Sequence, residues 1–362
     1  MVLFPIFITV FFTSIMGQGG PTDLPCGVVD LDNTPTTRAL TRRLDGMQTT
    51  HVTAHYTSVS EARRAVQRGE IYGFLYFPAG TTAKMLSQRQ PTVSFYYSNI
   101  SMLAGGMMLR NMKTITTLGA AAVGSAKLSA LGKSETEIKA FLQPIAIDMH
   151  MVGNPWGNYN VYLTTFLVPG ILMLFMFLIT AYSIGTELKF QRSREWMQAA
   201  GGNAAIALTG KMLPQFLTSF TILIALYCYI FGYLAFPHGG STWLLLALAL
   251  LTVLSSEGFG IFVFGLMPSL RMSMSVCSLW AVLGFSVAGA TFPIFAMHPI
   301  IESLSWLFPL RHYYMIYQSA VFNGYPLTDV WLHIVILVSY SLLPLFVLGR
   351  IKKAMLEYVY IP

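Results

Sequence analysis

The 362-residue chain has little charge, and over long stretches it has none. Asp, Glu, Lys and Arg make up 10% of its residues, whereas a soluble domain usually carries about 25%. Residues 149–186, 212–256 and 272–301 contain none of the four. An uncharged apolar run of about 20 residues matches a helix across a hydrocarbon core about 30 Å thick. The missing charge therefore argues against a soluble globular protein and predicts several membrane spans.

Cysteine and catalytic sequence motifs are also scarce. The three cysteines, Cys26, Cys228 and Cys277, form no CxxC pair, which argues against a disulfide framework or a cysteine-ligated metal. No nucleophile elbow, paired-carboxylate site or HExxH sequence is present. We therefore predict that the chain is not an enzyme and has no catalytic, cofactor-binding or metal-binding residues.

Two features that point to nucleotides or nucleic acids in other proteins are incomplete here. The net charge is +7, but the basic residues are divided between a polar block and several loops, so we expect no nucleic-acid partner. Gly210-Lys211 is followed by Met212 and lacks the earlier glycine of a phosphate loop. If transport is driven by ATP, the ATPase must be another polypeptide.

The apolar runs predict an α-helical polytopic membrane protein with six transmembrane helices. The first is residues 1–16, and the cytoplasmic start of this helix is expected to be missing from the chain. Residues 159–362 are predicted to form a five-helix transmembrane domain. Its spans are expected at residues 160–184, 213–236, 243–267, 275–292 and 329–349.

A polar block, residues 17–158, separates the first two predicted spans. Short β-rich runs such as CGVVDLD (26–32) and IYGFLYF (71–77) alternate in it with capped helical patterns. That alternation predicts a small α/β sheet. From about residue 101 to 143 the pattern becomes helical. We therefore predict an α/β extracytoplasmic domain with a helical extension.

The basic residues of the short loops predict the orientation. Eight lie on one side and a single one, Arg311, on the other. Basic loops stay in the cytoplasm, so the side with eight is inside, and both termini are expected there. The polar block is then outside, because long domains cross regardless of their charge. The eight are Lys189, Arg192, Arg194, Lys211, Arg271, Arg350, Lys352 and Lys353.

The predicted cytoplasmic segment 185–211 is long for a connection between two spans, and it mixes charge with large apolar side chains. Such a segment lies along the membrane surface or docks on a partner. The alternative is a solvated loop that only sets topology. The candidate docking residues are Glu187, Lys189, Arg192, Arg194, Glu195 and Trp196.

A carboxylate stands inside the fourth predicted span. At that depth Glu257 costs several kcal/mol unless it is paired or faces a cavity. With Ser256 it is a candidate for the substrate path, or for a proton or cation relay; the alternative is a structural hydrogen bond. Gly284 and Ala288 place small residues at i and i+4 on the fifth span. They are candidates for the same path, and predict either a dimer seam or a contact within the chain.

Residues 293–325 are interrupted by prolines and rich in aromatic rings. Trp306, Arg311, His312 and Tyr313 stand close together there. Amphipathic rings favour the headgroup level of a membrane. We predict an outer re-entrant segment or interfacial helix, with an ordinary aromatic belt as the alternative.

The predicted order of one span, a large external α/β domain and five further spans resembles the permease subunits of type-2 ABC exporters. The tract VVDLDNTPTTRAL (28–40) resembles the opening strand and helix of their outer domain, and SEARRAVQRGEIYGFLYFPAG (60–80) resembles its next unit. GTELKFQRSREWMQAAGG (185–202) resembles the coupling segment that docks on the ATPase. FPIFAMHPIIESLSWLFPLRHYYMIYQSAVFNG (292–324) resembles the terminal hairpin.

The resemblance implies an ATP-driven exporter of the bacterial cytoplasmic (inner) membrane that moves an amphipathic or hydrophobic substrate out of the cytoplasm or inner leaflet. A separate ABC ATPase subunit would hold Mg-ATP and engage residues 187–196. A homodimer or heterodimer of permeases is implied, with a periplasmic adaptor as a further partner. Two other hypotheses stay open: a non-transporting membrane receptor or assembly factor with an extracytoplasmic ligand-binding domain, and a proton-coupled transporter that uses Glu257.

Overall fold

The structure is a computed structural model that describes residues 2–87, 89–145, 154 and 157–358, with only the backbone of Leu86. The chain divides into two compact units, residues 20–150 and residues 1–19 with 151–362. We name them the α/β unit and the helical unit.

The helical unit begins with helix α1, Leu3–Ile15, which is apolar and uncharged. At 1.5 Å per residue its 13 residues extend about 20 Å, less than a hydrocarbon core of about 30 Å. Five other helical stretches among the described residues have the length and composition of a span, and the last of them, Leu327–Glu357, combines two α-helices with 3₁₀ segments. The chain is thus a helical protein with about five candidate membrane helices, and a sixth span at α1 stays a prediction.

The α/β unit is built on a four-stranded sheet in the order β2-β1-β3-β4. The strand β1 pairs in parallel with β2 and β3, and β4 is antiparallel to β3. The strands are β1 (Leu24–Asp30), β2 (Thr50–His55), β3 (Gly73–Phe77) and β4 (Ser94–Tyr97). The helices are α2 (Pro35–Asp45), α3 (Val59–Gln67), α4 (Thr81–Leu86), α5 (Met102–Ala130) and α6 (Glu135–Leu142).

The strand β1 is central, and its Cys26, Val28 and Val29 are fully buried. A strand covered on both faces reads as a continuous apolar run, as this one does. Helix α2 is capped by the preceding residue, Thr34, whose hydroxyl accepts from the backbone N–H of Thr37. The long helix α5 covers one face of the sheet with buried methionine and isoleucine side chains.

The helical unit continues with nine further helices among the described residues. They are α7 (Tyr159–Lys189), α8 (Ser193–Ala199), α9 (Ala204–Tyr227), α10 (Thr242–Leu266), α11 (Leu270–Val287), α12 (Pro299–Ser305), α13 (Pro309–Ile316), α14 (Trp331–Leu342) and α15 (Leu348–Glu357). Both α9 and α13 run on into a π-helical turn, Cys228–Tyr233 and Tyr317–Phe322 respectively.

The helix bounds differ from the predicted spans at several ends: α9 begins at Ala204, nine residues before the predicted residue 213, and α11 ends at Val287, five residues before the predicted residue 292. The span predicted at 243–267 agrees with α10 to within one residue. In contrast, α7 runs on to Lys189, and α11 starts five residues before the predicted residue 275, which places Arg271 in its first turn. Long basic side chains at a helix end can reach the headgroups, so a charge-free window underestimates the helix.

The last predicted span, 329–349, is broken and longer than expected. A short 3₁₀ segment, Leu343–Phe346, separates α14 from α15, and α15 continues to Glu357. Pro344 lies in that segment and lacks the backbone N–H that a continuous α-helix requires. The basic residues predicted to follow the span therefore lie on a helix of their own.

Helix α10 lies at the centre of the helical unit, where two glycines let its neighbours approach closely. A Cβ on Gly258 would lie 2.3 Å from the backbone oxygen of Tyr340 in α14. A Cβ on Gly260 would lie 2.8 Å from the Cβ of Thr180 in α7. Small residues permit close backbone packing between membrane helices. The core therefore sits around α10.

Candidate coupling and transport sites

The connection between α7 and α9 is shorter than the predicted segment 185–211, because both helices extend into it. Only residues 190–203 remain, and α8 occupies half of them. Gln191, Gly201 and Gly202 have positive φ angles of 58°, 63° and 74°. The two glycines accept the left-handed turn that returns the chain into α9 without the steric cost of a side chain.

An ion pair joins α7 and α9 next to this connection. The Nζ of Lys211 in α9 donates to the Oε1 of Glu187 in α7, and both side chains are largely buried. The same Nζ lies 5.4 Å from the ring centroid of Trp196 in α8, a cation–π contact. Glu187 and Trp196, two of the predicted docking residues, thus have partners inside the chain.

Helix α8 is held from its inner side by apolar packing. Met197 is 1% exposed and belongs to a cluster with residues of α7, α9, α10 and α15. The Nε of Arg194 donates to the backbone oxygen of Leu356 at 3.2 Å. Sequence reasoning missed this role of α15, because the contact joins residues 162 positions apart.

The outer face of the connection is charged and open. Lys189, Arg192, Arg194 and Glu195 are exposed, and they surround Phe190, which is 60% exposed. An exposed large aromatic ring between charges is a feature of interaction surfaces. We name Lys189, Phe190, Arg192, Arg194 and Glu195 the coupling face. Phe190 was absent from the predicted docking residues.

Glu257 lies inside the helical unit with 5% exposure. Among the described residues its Oε1 has no hydrogen-bond partner. Ser256 differs, since its hydroxyl donates to the backbone oxygen of Thr252 at 2.6 Å. Within the described chain, the two side chains are therefore not joined in a hydrogen-bonded relay.

Gly284 and Ala288 face the chain itself. A Cβ on Gly284 would lie 3.5 Å from the ring of Phe308, and Ala288 is fully buried. This small-residue face thus has contacts within the chain, and a dimer seam stays a prediction. Glu257 and Ser256 lie on α10, Gly284 lies on α11 and Ala288 directly follows α11, and no described hydrogen bond joins the two pairs.

The predicted re-entrant segment is a pair of short helices, α12 and α13, of which the second is buried. Tyr313 is fully buried, and its hydroxyl lies 3.1 Å from that of Tyr227 in α9. Buried tyrosines need such a partner. Tyr313 therefore packs inside the helical unit, and both the re-entrant segment and the aromatic belt stay predictions.

A polar cluster holds these two helices together. The Nη1 of Arg311 donates to the backbone oxygen of Glu302 at 3.1 Å and to the hydroxyl of Ser305. Its guanidinium lies 4.5 Å from the ring centroid of Trp306. His312 contacts His333 of α14, a histidine that sequence reasoning missed although it interrupts the apolar run VWLHIVIL.

A cavity of about 240 Å³ lies where α7 meets α13. Its lining combines uncharged polar groups with aromatic rings and includes no charged side chain. Amides and phenols there offer hydrogen bonds next to apolar surface. Those side chains are Asn154, Tyr162, Thr165, Tyr314, Tyr317, Gln318 and Asn323.

The comparisons agree with this arrangement. The profile of a family described as ABC-2 family transporter protein matches residues 1–349. The chain belongs to the ABC-2 transporter family. A search among curated proteins finds no match. The permease resemblance is thus confirmed, and membership of the ABC-2 family implies a multi-pass membrane subunit that works with an ABC ATPase.

Proposed function

We propose that this ABC-2 family chain is the permease subunit of an ATP-driven exporter that moves an amphipathic or hydrophobic substrate out of the cytoplasm or inner leaflet. The observation that carries the proposal is the coupling face. It exposes charge and one aromatic ring where α7 leads into α8, a short helix that is fixed to α7, α9 and α15. A surface built in this way can receive a force from a partner and pass it to the spans.

The path of that force follows from the contacts. Helix α7 runs without interruption from Tyr159 to Lys189 and packs against α10 and α11. The Glu187–Lys211 ion pair ties its inner end to α9. Closure of two ATPase copies, which hold Mg-ATP, would push α8 and tilt α7 and α9 together. The cavity lined by Tyr162 and Tyr317 lies farther along α7, and we assign it to the substrate path.

The remaining parts of the proposal concern assembly and placement. We propose a homodimer or heterodimer of permeases in the bacterial inner membrane, with both termini in the cytoplasm. The α/β unit would then lie outside and meet a periplasmic adaptor. Exposed apolar side chains on α11, among them Leu279, Val282 and Leu283, leave that helix open to lipid or to a second permease.

The test is ATP-dependent efflux of a fluorescent amphipathic dye from vesicles that contain the permease and its ATPase. The variant Lys189→Glu/Arg192→Glu/Glu195→Lys reverses three charges of the coupling face and leaves the Glu187–Lys211 pair intact. We expect loss of ATPase co-purification and at least a tenfold loss of efflux. Arg271→Glu, an exposed charge at the start of α11, is the matched control. Full efflux by the triple variant would overturn the docking assignment.

A further inference from the structure

The α/β unit contains a cavity of about 490 Å³ that the transport proposal does not use. It lies between α2, α4, the chain before β4 and the second half of α5. Ligand-binding pockets have volumes of about 300–1,000 Å³, so the size is that of a small-molecule site. The apolar lining includes Leu40, Phe77, Met85, Val93 and Val123.

The cavity exists because α5 turns its smallest side chains toward it. Gly119, Ala120 and Gly124 line it together with Val123 and Lys127. Residues three and four apart share one face of a helix, which places this set in one row. A Cβ on Gly119 would lie 2.8 Å from the side chain of Leu40, so a larger residue there would displace the cavity wall.

Two cations stand among the lining residues. Arg89 belongs to the chain before β4, and Lys127 to the last turn of α5. Within the described ranges of the chain, neither side chain forms an ion pair or a cation–π contact. No Asp or Glu lines the cavity. Its positive charge is therefore available to a ligand.

We propose that this cavity binds a single-chain anionic amphiphile of the fatty-acid type. The alkyl chain would lie against Leu40, Phe77 and Val123, where it leaves water. The carboxylate would lie between Arg89 and Lys127, since charge-assisted hydrogen bonds to cations are the strong ones. A neutral ligand would leave both cations unpaired, and a small polar anion would leave the apolar wall unfilled. The proposal is independent of ATP-driven export.

The experiment uses the full chain in nanodiscs of phosphatidylcholine, without ATP or ATPase. A dodecanoate analogue with a diazirine near the chain end is photolysed, and the labelled peptides are mapped by mass spectrometry. We expect saturable labelling of peptides that contain Leu40 or Val123. Unlabelled dodecanoate should compete at least tenfold better than dodecanol. Equal competition by the two, or labelling that does not saturate, would overturn the proposal.

Three variants locate the site. Arg89→Gln/Lys127→Gln should lower the affinity for dodecanoate at least tenfold, and Ala120→Phe should abolish labelling by filling the cavity. Arg110→Gln/Lys113→Gln removes two exposed charges from the same helix outside the lining and should bind normally. Hydrogen exchange of residues 20–145 verifies folding; if Ala120→Phe unfolds, the charge variants decide. Equal loss of binding in both charge variants would refute the assignment to Arg89 and Lys127.

Discussion

The imidazole rings of His312 and His333 meet with their Nδ1 atoms 2.7 Å apart. The Nε2 of His312 lies 2.8 Å from the backbone oxygen of Trp306, which can only accept, so this nitrogen donates. In the neutral ring the Nδ1 of His312 must then accept from His333. The pair ties α13 to α14, and Trp306 stacks on His333 with ring centroids 5.2 Å apart.

We expect His312→Ala and His333→Ala each to lower the free energy of unfolding by about 1–3 kcal/mol, because each leaves the other imidazole without its partner. The double variant should cost less than the sum of the two. Denaturant unfolding in detergent measures the cycle. His55→Ala, an exposed histidine on β2, should change little. Additive single effects would show that the two rings do not interact.

The ion pair between Glu187 and Lys211 should matter for coupling more than for folding. We expect Glu187→Lys to uncouple ATP hydrolysis from transport and to cost about 1–2 kcal/mol in stability, between the values for surface and buried pairs. The exchange Glu187→Lys/Lys211→Glu should recover part of both. Efflux per ATP hydrolysed and thermal unfolding are the measurements. Normal coupling in Glu187→Lys would count against a role for the pair.

The contact of Gly258 with α14 should tolerate no side chain. A Cβ there would meet a backbone atom, the oxygen of Tyr340, which cannot rotate away. We expect Gly258→Ala to cost about 1–3 kcal/mol through overpacking. Gly210→Ala in α9 is the control, since nothing lies within 4 Å of its Cβ position. That change should be neutral or stabilising in a helix. Equal melting temperatures for the two variants would contradict the packing.

Substitutions of Glu257 distinguish ATP-driven transport from proton-coupled transport. Its side chain is buried and Oε1 has no partner in the described part of the chain, a position in which a charge would cost several kcal/mol. We expect Glu257→Gln, which keeps the shape and removes the ionisable group, to retain ATP-driven efflux within about twofold. Glu257→Ala removes the same group and also leaves a void, so its difference from Glu257→Gln measures the contribution of packing. Efflux driven by a pH gradient and lost in Glu257→Gln would instead support proton coupling.

In the α/β unit, Asp32 should make the stability of helix α4 sensitive to acid. Its carboxylate accepts from the backbone N–H and hydroxyl of Thr82 at 3.0 and 2.5 Å, and from the hydroxyl of Thr34 at 3.1 Å. Burial raises the pKa of Asp32, but the hydrogen bonds outweigh it, and the pKa lies below its ordinary value. The resulting stability is present above the ordinary pKa and is lost as pH falls through the lowered one.

We therefore expect the amides of α4 to lose protection against hydrogen exchange below about pH 4, after correction for intrinsic rates. In Asp32→Asn, the amides of α4 should show at every pH the weaker protection that the parent chain shows only in acid. Glu70→Gln, at an exposed carboxylate elsewhere in the unit, should behave like the parent chain. A pH profile in Asp32→Asn that matches the parent would exclude Asp32 as the cause.

Much of the architecture was readable from the residues because a membrane acts on each segment separately. A helix of 20 apolar residues satisfies its own backbone in hydrocarbon, whatever its neighbours are. The candidate membrane helices therefore overlap their predicted positions, although α9 begins nine residues before the predicted residue 213. Other predicted ends were wrong where Lys189 and Arg271 lie on a helix that extends beyond the charge-free run. Of the two strand runs named from the sequence, 71–77 contains β3, whereas 26–32 overlaps β1 but misses its first two residues.

The sequence alone determined which environment each segment favours. The long uncharged runs favour hydrocarbon, and the polar block between them favours water. Partition depends on local composition, so a sequence carries it directly. The partners of single side chains were decided only by tertiary structure. Glu187 meets Lys211, and His312 meets His333, because separate helices pack at particular depths and rotations. Those choices arise from contacts between distant residues, which no local pattern records.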